Sequence, residues 1–170
     1  MIYHKTPLEG AYLIEMKPIG DERGFFARQF CAHEFEKERI EPQIVQVNSS
    51  FSALKGTLRG MHYQIAPKEE TKLVRCIKGT IYDVILDLRP DSASFGKSFG
   101  AELSEHNRLM MYVPRGFAHG FLTLAENCEI IYLVSEYYSK EHERGIRWND
   151  PAFEIAWPIT PKVISERDCS

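Results

Sequence analysis

Short runs of β-branched and aromatic residues, broken by turn signals about every ten residues, limit what this chain can fold into. Residues 72–77 and 80–88 flank Lys78-Gly79, and this spacing predicts a hairpin. A second hairpin is predicted from 120–124 through Ala125-Glu126-Asn127 to 128–134. Residues 109–113, stopped by Pro114, give another strand, and 43–48 and 58–64 read as extended on either side of Lys55-Gly56. Only 32–40 patterns as helix, with Phe35 and Ile40 apolar among charges. A further helical turn is expected from Thr160-Pro161, because Thr caps well and Pro fits the first helical position. No strand–helix–strand rhythm is present. The expectation is an all-β sandwich or barrel with a few short helices, whose ligand sits in the mouth among inward side chains of alternate strand residues.

Composition narrows the function classes. The chain has 170 residues, with 21 Lys and Arg against 24 Asp and Glu, a formal charge of −3. That balance excludes a strongly basic nucleic-acid binder, since no positive field would gather a polyanion. No apolar run approaches the roughly 18–20 residues of a membrane-spanning helix, and Met1-Ile2-Tyr3-His4-Lys5 lacks a signal-peptide core. Cys31, Cys76, Cys128 and Cys169 form no CxxC pair, so zinc-site spacing is absent and a reducing, cytoplasmic setting is expected. Without repeats, low-complexity tracts or linkers, residues 1–170 read as one domain.

Four segments could carry chemistry. Gly56-Thr57-Leu58-Arg59-Gly60-Met61-His62-Tyr63-Gln64 precedes Lys72, and on a strand Leu58, Gly60, His62 and Gln64 share a face. Histidine titrates near neutrality, and Arg59 and Lys72 nearby suit an anionic ligand; a lone His on such a strand is otherwise a satisfied core residue. Pro114-Arg115-Gly116-Phe117-Ala118-His119-Gly120-Phe121 offers a second His. Asp21-Glu22-Arg23-Gly24-Phe25-Phe26 reads either as a phosphate clamp with an aromatic wall or as a strand–turn–strand with exposed charges. Tyr132, with Tyr137-Tyr138 beyond it, is a core tyrosine or, facing a catalytic His, a second proton donor.

The Gly56-to-His62 spacing and the PxGxxH of Pro114 to His119 resemble the two motifs of cupins. Metal-binding cupins carry HxH where this chain has His62-Tyr63-Gln64, which leaves His62, Glu69 and His119 as the remaining possible ligand set. Together Arg59-Gly60-Met61-His62-Tyr63-Gln64, Lys72-Leu73-Val74-Arg75, Asp87-Leu88-Arg89, residues 114–121 and Glu143-Arg144-Gly145-Ile146-Arg147-Trp148 resemble the dTDP-4-dehydrorhamnose 3,5-epimerase family, over 21–168.

That resemblance implies a cupin-like jelly roll without metal or cofactor. It implies a homodimer joined by exchanged strands, with 3–16 as the expected contributor. The substrate would be a nucleotide-diphosphate-linked 4-keto-6-deoxyhexose, epimerised at C3 and C5. In the roles the resemblance assigns, His62 is the base, Tyr132 the proton donor, Asp168 the acid orienting the His, and Lys72 the partner of the C4 oxygen. Arg23 and Arg59 match diphosphate contacts, Gln46 and Asn48 a polar pair, His119 and Glu143 further substrate contacts, and Phe26 and Tyr138 stacking surfaces. Arg28 stands where the family commonly has Glu, and Arg167 where it often has Lys; both are placed in the substrate region. A single-centre epimerase, a metal-dependent cupin enzyme and a non-catalytic sugar-binding module are the alternatives.

Overall fold

The computed structural model describes residues 1–169. Its strands are β1 (Ile2–Lys5), β2 (Tyr12–Glu15), β3 (Ile19–Asp21), β4 (Gly24–Phe26), β5 (Gln46–Ser52), β6 (Thr57–Gln64) and β7 (Lys72–Lys78). They continue with β8 (Thr80–Asp87), β9 (Ser98–Ser104), β10 (Met110–Val113), β11 (Phe117–Thr123), β12 (Cys128–Val134), β13 (Glu143–Gly145) and β14 (Val163–Ile164). One sheet runs β1-β2-β10-β7-β12-β5, and the facing sheet runs β13-β6-β11-β8-β9 with β14 beside β6. The expected jelly-roll sandwich is present. From β5 to β13 every strand crosses to the other sheet except at β8–β9, which pair as neighbours.

Neither predicted hairpin forms. β7 and β8 lie in opposite sheets, and so do β11 and β12. The turn residues are real, but they build arches between sheets instead of pairing their flanking strands. Val74 and Cys76 of β7 meet Ile81 and Ile85 of β8, with Phe117, Phe121 and Ile130, in one core between the sheets. Gly79 makes the first arch at φ +77°, where a Cβ would lie 2.8 Å from the Cys128 sulfur.

A second cluster lies around helix α1 (Ala32–Lys37): Phe35 is fully buried and packs edge-on to Phe30, Tyr3 and Tyr112 beside Ile14 and Leu73. The helix ends three residues short of the expected 40, where Arg39 takes a positive φ of 60°, though Ile40 stays buried. No helical turn starts at Thr160-Pro161. Lys162 instead donates its N–H to the Gly56 carbonyl at 2.8 Å, and β14 pairs in parallel with β6. The helical turn comes later, as a 3-10 segment over Glu166–Cys169.

One irregularity decides the site. Between β6 and β11 the register passes from His62 opposite His119 to Arg59 opposite Phe121, three residues against two. This bulge at Gly60-Met61 breaks the alternation of β6. Arg59 therefore joins His62 at the cavity, and the expected face of Leu58, Gly60, His62 and Gln64 does not form. Only glycines permit it: a Cβ on Gly60 would lie 2.5 Å from the Gly120 Cα, at φ +118°.

Candidate active site

Three adjoining cavities of about 290, 420 and 190 Å³ meet at His62, and the first holds the expected catalytic residues. Arg59, His62 and His119 line it from one sheet and Lys72 and Tyr132 from the other, while the 3-10 turn brings Arg167 and Asp168. His62 Nε2 lies 2.6 Å from Asp168 Oδ1, a short charge-assisted distance. Asp168 is buried, and its other oxygen accepts the Gly60 N–H at 3.3 Å. A carboxylate only accepts, so the proton between them sits on Nε2 and the Nδ1 lone pair is left for another group. Burial pulls the His62 pKa below its ordinary value, outweighing Asp168, while Lys72 and Arg167 push it the same way as burial. A neutral imidazole with a free lone pair is a general base.

Tyr132 approaches from β12. Burial raises its pKa, with the charges of Glu70 and Glu143 adding and Arg59 opposing, so its phenol stays protonated as a donor. The Lys72 ammonium is nearly buried; it donates to the His62 carbonyl at 3.3 Å and pairs with Glu70 Oε1 at 3.2 Å. Beside the first pair stands a second: His119 Nε2 lies 2.8 Å from Asp83 Oδ1, both buried, with Asp83 Oδ2 unpartnered.

The remaining expected contacts divide. Glu143 accepts from the Tyr138 hydroxyl at 2.8 Å and pairs with Arg167; against the effect of burial, these two partners hold its carboxyl below the usual range. Gln46, whose Oε1 accepts the Tyr138 N–H at 3.0 Å, and Asn48, opposite Tyr132 in register, line the adjoining cavity. Arg59 extends over Ser52 Oγ at 3.2 Å and the Phe51 carbonyl at 3.1 Å.

Arg23, Phe26 and Arg28, expected in the substrate region, line none of the cavities around His62 within one chain. Arg23 pairs with Asp21, Phe26 is 67% exposed, and Arg28 reaches Glu34 at 3.7 Å. Among the described residues, the β3–β4 hairpin that carries the first two pairs with no other strand. Glu69 lines a separate cavity with Arg89 and Pro90, so His62, Glu69 and His119 do not converge. Among the described residues no group of three or more His, Cys, Asp or Glu is placed to hold a metal ion.

Sequence reasoning missed Asp83 and Glu70. Asp83 had a legible signal, an acid within the apolar run 80–88, since a buried carboxylate demands a partner. Glu70 had none, because its meeting with Gln64 depends on the 65–70 loop folding back, where Gln64 Nε2 donates to Glu70 Oε2 at 3.0 Å.

The sequence matches the family described as dTDP-4-dehydrorhamnose 3,5-epimerase over residues 5–170. A dTDP-4-dehydrorhamnose 3,5-epimerase of Sinorhizobium fredii is 43% identical, the match covering 100% of this chain and 88% of the relative. Among solved structures, the dTDP-4-dehydrorhamnose 3,5-epimerase of Elizabethkingia anophelis superposes with a TM-score of 0.96 at 42% identity, covering 99% of this chain and 93% of that one. A dTDP-6-deoxy-D-glucose-3,5-epimerase of Legionella pneumophila, solved in complex with dTDP-4-keto-L-rhamnose, superposes at 0.91 with 38% identity, covering 98% and 89%. With the jelly roll and the paired histidines already in view, these likenesses place the chain in the dTDP-4-dehydrorhamnose 3,5-epimerase family, as a nucleotide-sugar epimerase.

Proposed function

We propose that this cavity inverts C3 and C5 of a dTDP-linked 4-keto-6-deoxyhexose, with His62 as base and Tyr132 as acid. One observation carries the reading: the side chains of His62 and Tyr132 line a single cavity from opposite sheets. Epimerisation requires removal of a proton from one face of a carbon and its return to the other. The C4 ketone makes the C3 and C5 hydrogens acidic. His62 Nδ1 takes one of them, the C–H electron pair forms the enolate C=C, and charge moves to the C4 oxygen. Lys72 stands to donate to that oxygen, a kind of contact worth about 3–4 kcal/mol in comparable sites. Asp168 stabilises the imidazolium, and Tyr132 delivers its proton to the opposite face. Solvent resets both groups before the second carbon reacts. A positioned acid or base contributes roughly 10²–10⁴-fold each. The ketone is the electron sink, so the scheme asks for no redox cofactor.

Arg59 and His119 serve the diphosphate and sugar in this reading, and Gln46, Asn48, Tyr138, Glu143 and Arg167 line the substrate's path. Arg23, Phe26 and Arg28 would act on the site of a second copy in a homodimer. The support is the unpaired β3–β4 hairpin, where Ile19 is 74% and Phe25 49% exposed beside Phe26, an apolar surface that a symmetric partner would cover. Residues 3–16, expected to exchange, are engaged within the chain: β1 pairs with β2 and β2 with β10. A one-domain protein in a reducing cytoplasm completes the proposal, supported by four free cysteines.

The test is incubation with dTDP-4-keto-6-deoxyglucose in deuterium oxide, followed by proton NMR and mass spectrometry of the sugar. Deuterium at C3 and C5 with inverted product is expected. Label at one carbon would replace the reading with a single-centre epimerase, and no label would overturn it.

A further inference from the structure

The adjoining cavity, which shares His62, Lys72 and Tyr132, is lined by one carboxylate that the proton-transfer scheme leaves without a task. Glu70 lies two residues before Lys72, at the entry to β7, with its side chain 12% exposed. Its Oε1 is 3.2 Å from Lys72 Nζ, and its Oε2 accepts Gln64 Nε2 at 3.0 Å. Gln64 is itself immobilised: Nε2 also donates to the Lys68 carbonyl at 2.8 Å, and Oε1 accepts the Ser139 N–H at 2.6 Å. A buried amide therefore ties Glu70 to both loops that flank the cavity. Lys72 Nζ has three donors. One goes to Glu70, one to the His62 carbonyl at 3.3 Å, and the third remains for the cavity that Lys72 lines.

A lysine stem has four rotatable bonds and does not aim itself. We propose that Glu70 is a positioning residue for the reaction: held by Gln64, it pins the Lys72 ammonium so that its third N–H points at the substrate's C4 oxygen. This inference rests on the epimerase reading and assigns that site a residue outside the proton-transfer set. The Glu70 charge also bears on Tyr132, where it adds to burial in keeping the phenol protonated. The other charged or titratable groups lining the two cavities are Lys72, His62, Arg59, His119, Arg167, Asp168, Tyr63, Glu143 and Tyr138, and all of them survive a substitution of Glu70 alone.

The experiment compares kcat, KM and their pH profiles for the intact wild type, Glu70→Gln and Glu70→Asp on dTDP-4-keto-6-deoxyglucose, with thermal melts as fold controls. Glu70→Gln should lower kcat about tenfold, as loss of a buried charge-assisted contact does, with KM changed less than about twofold. Its alkaline limb should move to lower pH, because without the neighbouring negative charge Tyr132 ionises more readily. Glu70→Asp keeps the charge but shortens the reach, so kcat should fall while the alkaline limb stays in place. This second variant decides the matter alone if the first does not fold. With an active wild type, unchanged kcat in either variant, or a limb that moves equally in both, overturns the inference. An inactive wild type overturns the epimerase reading and this inference with it.

Discussion

Replacing Asp168 with Asn isolates the acid from the histidine it serves. The side chain keeps its size, and its remaining oxygen can still accept the Gly60 N–H, so the 3-10 turn should hold. What is lost is the 2.6 Å contact to His62 Nε2. A bond to a charged partner is worth about 1.5–3 kcal/mol, or roughly 10–150-fold in rate. The loss should be larger here for a chemical reason. An Asn can turn its NH₂ toward Nε2, which then accepts, and the ring proton moves to Nδ1, the atom that should abstract the substrate's hydrogen. Loss of the correct tautomer together with loss of imidazolium stabilisation should lower kcat by about 10²–10⁴-fold.

The pH dependence separates this account from a general loss of structure. In the wild type, burial lowers the His62 pKa while Asp168 raises it. A base works in its deprotonated form, so the wild-type acid limb should lie below the ordinary histidine value of about 6.5. Without Asp168 the raising influence disappears, His62 holds its proton less well, and the limb of the residual activity should move to still lower pH. Deuterium wash-in followed by NMR from about pH 5 to pH 9 reads both quantities. A kcat within about threefold of wild type, or an acid limb moving upward, would refute the base assignment.

Tyr132→Phe should retain exchange at the first carbon but reduce inverted product about 10²-fold, read by mass spectrometry in deuterium oxide; full inversion would remove Tyr132 from the acid role. Asp87→Asn should destabilise the fold by about 3–5 kcal/mol in denaturant melts, because the buried carboxylate accepts from Arg89 Nε at 2.9 Å, Ser92 Oγ at 2.6 Å and Ser94 Oγ at 2.6 Å. Although burial opposes them, those bonds hold the Asp87 carboxyl far below its usual range, so the stabilisation is complete above the unfolded pKa of about 3.9 and lost as pH falls through the folded one; the gap between wild type and variant should narrow only in acid. Gly60→Ala should lower stability by about 1–3 kcal/mol and abolish turnover, since its Cβ would collide with Gly120 and undo the bulge; a fully active variant would contradict the role given to that close approach. Charging the hairpin by Ile19→Asp with Phe26→Asp should yield monomers in light scattering with reduced turnover, and an active dimer would argue against the proposed partner surface.

What could be read in the sequence depended on how local the cause was. Strand positions were legible because runs such as 80–88 and 128–134 are dense in β-branched and aromatic residues. Their partners were not, because Gly79 satisfies a turn whether the chain continues into the same sheet or crosses to the other. The choice is made by where Val74, Cys76, Ile81 and Ile85 can be buried together, a property of the whole sandwich. His62, Lys72, Tyr132 and Asp168 were found through family resemblance, and the structure gathers them at one cavity. Arg59 was named for its charge, but its strand face was misjudged, since one extra residue at Gly60-Met61 reverses the alternation. Arg23 and Phe26 have no place at this chain's cavity because their own segment folds as a hairpin apart from both sheets.

The failed hairpins explain why this architecture suits a two-faced reaction. Had β11 and β12 paired as the turn between them suggested, His119 and Tyr132 would belong to one sheet and approach a bound sugar from one side. In the sandwich each crossing moves the chain to the opposite wall: β6 delivers His62 and β7 delivers Lys72 across from it, then β11 delivers His119 and β12 delivers Tyr132. Groups about ten residues apart in sequence thus line one cavity from opposite sheets. Beside these groups β6 and β11 approach closely, and the Gly60–Gly120 contact permits that approach. The bulge it permits brings Arg59 to the cavity beside His62, so that in the proposed reading a cation for the diphosphate and the base for the sugar come from one strand, three residues apart.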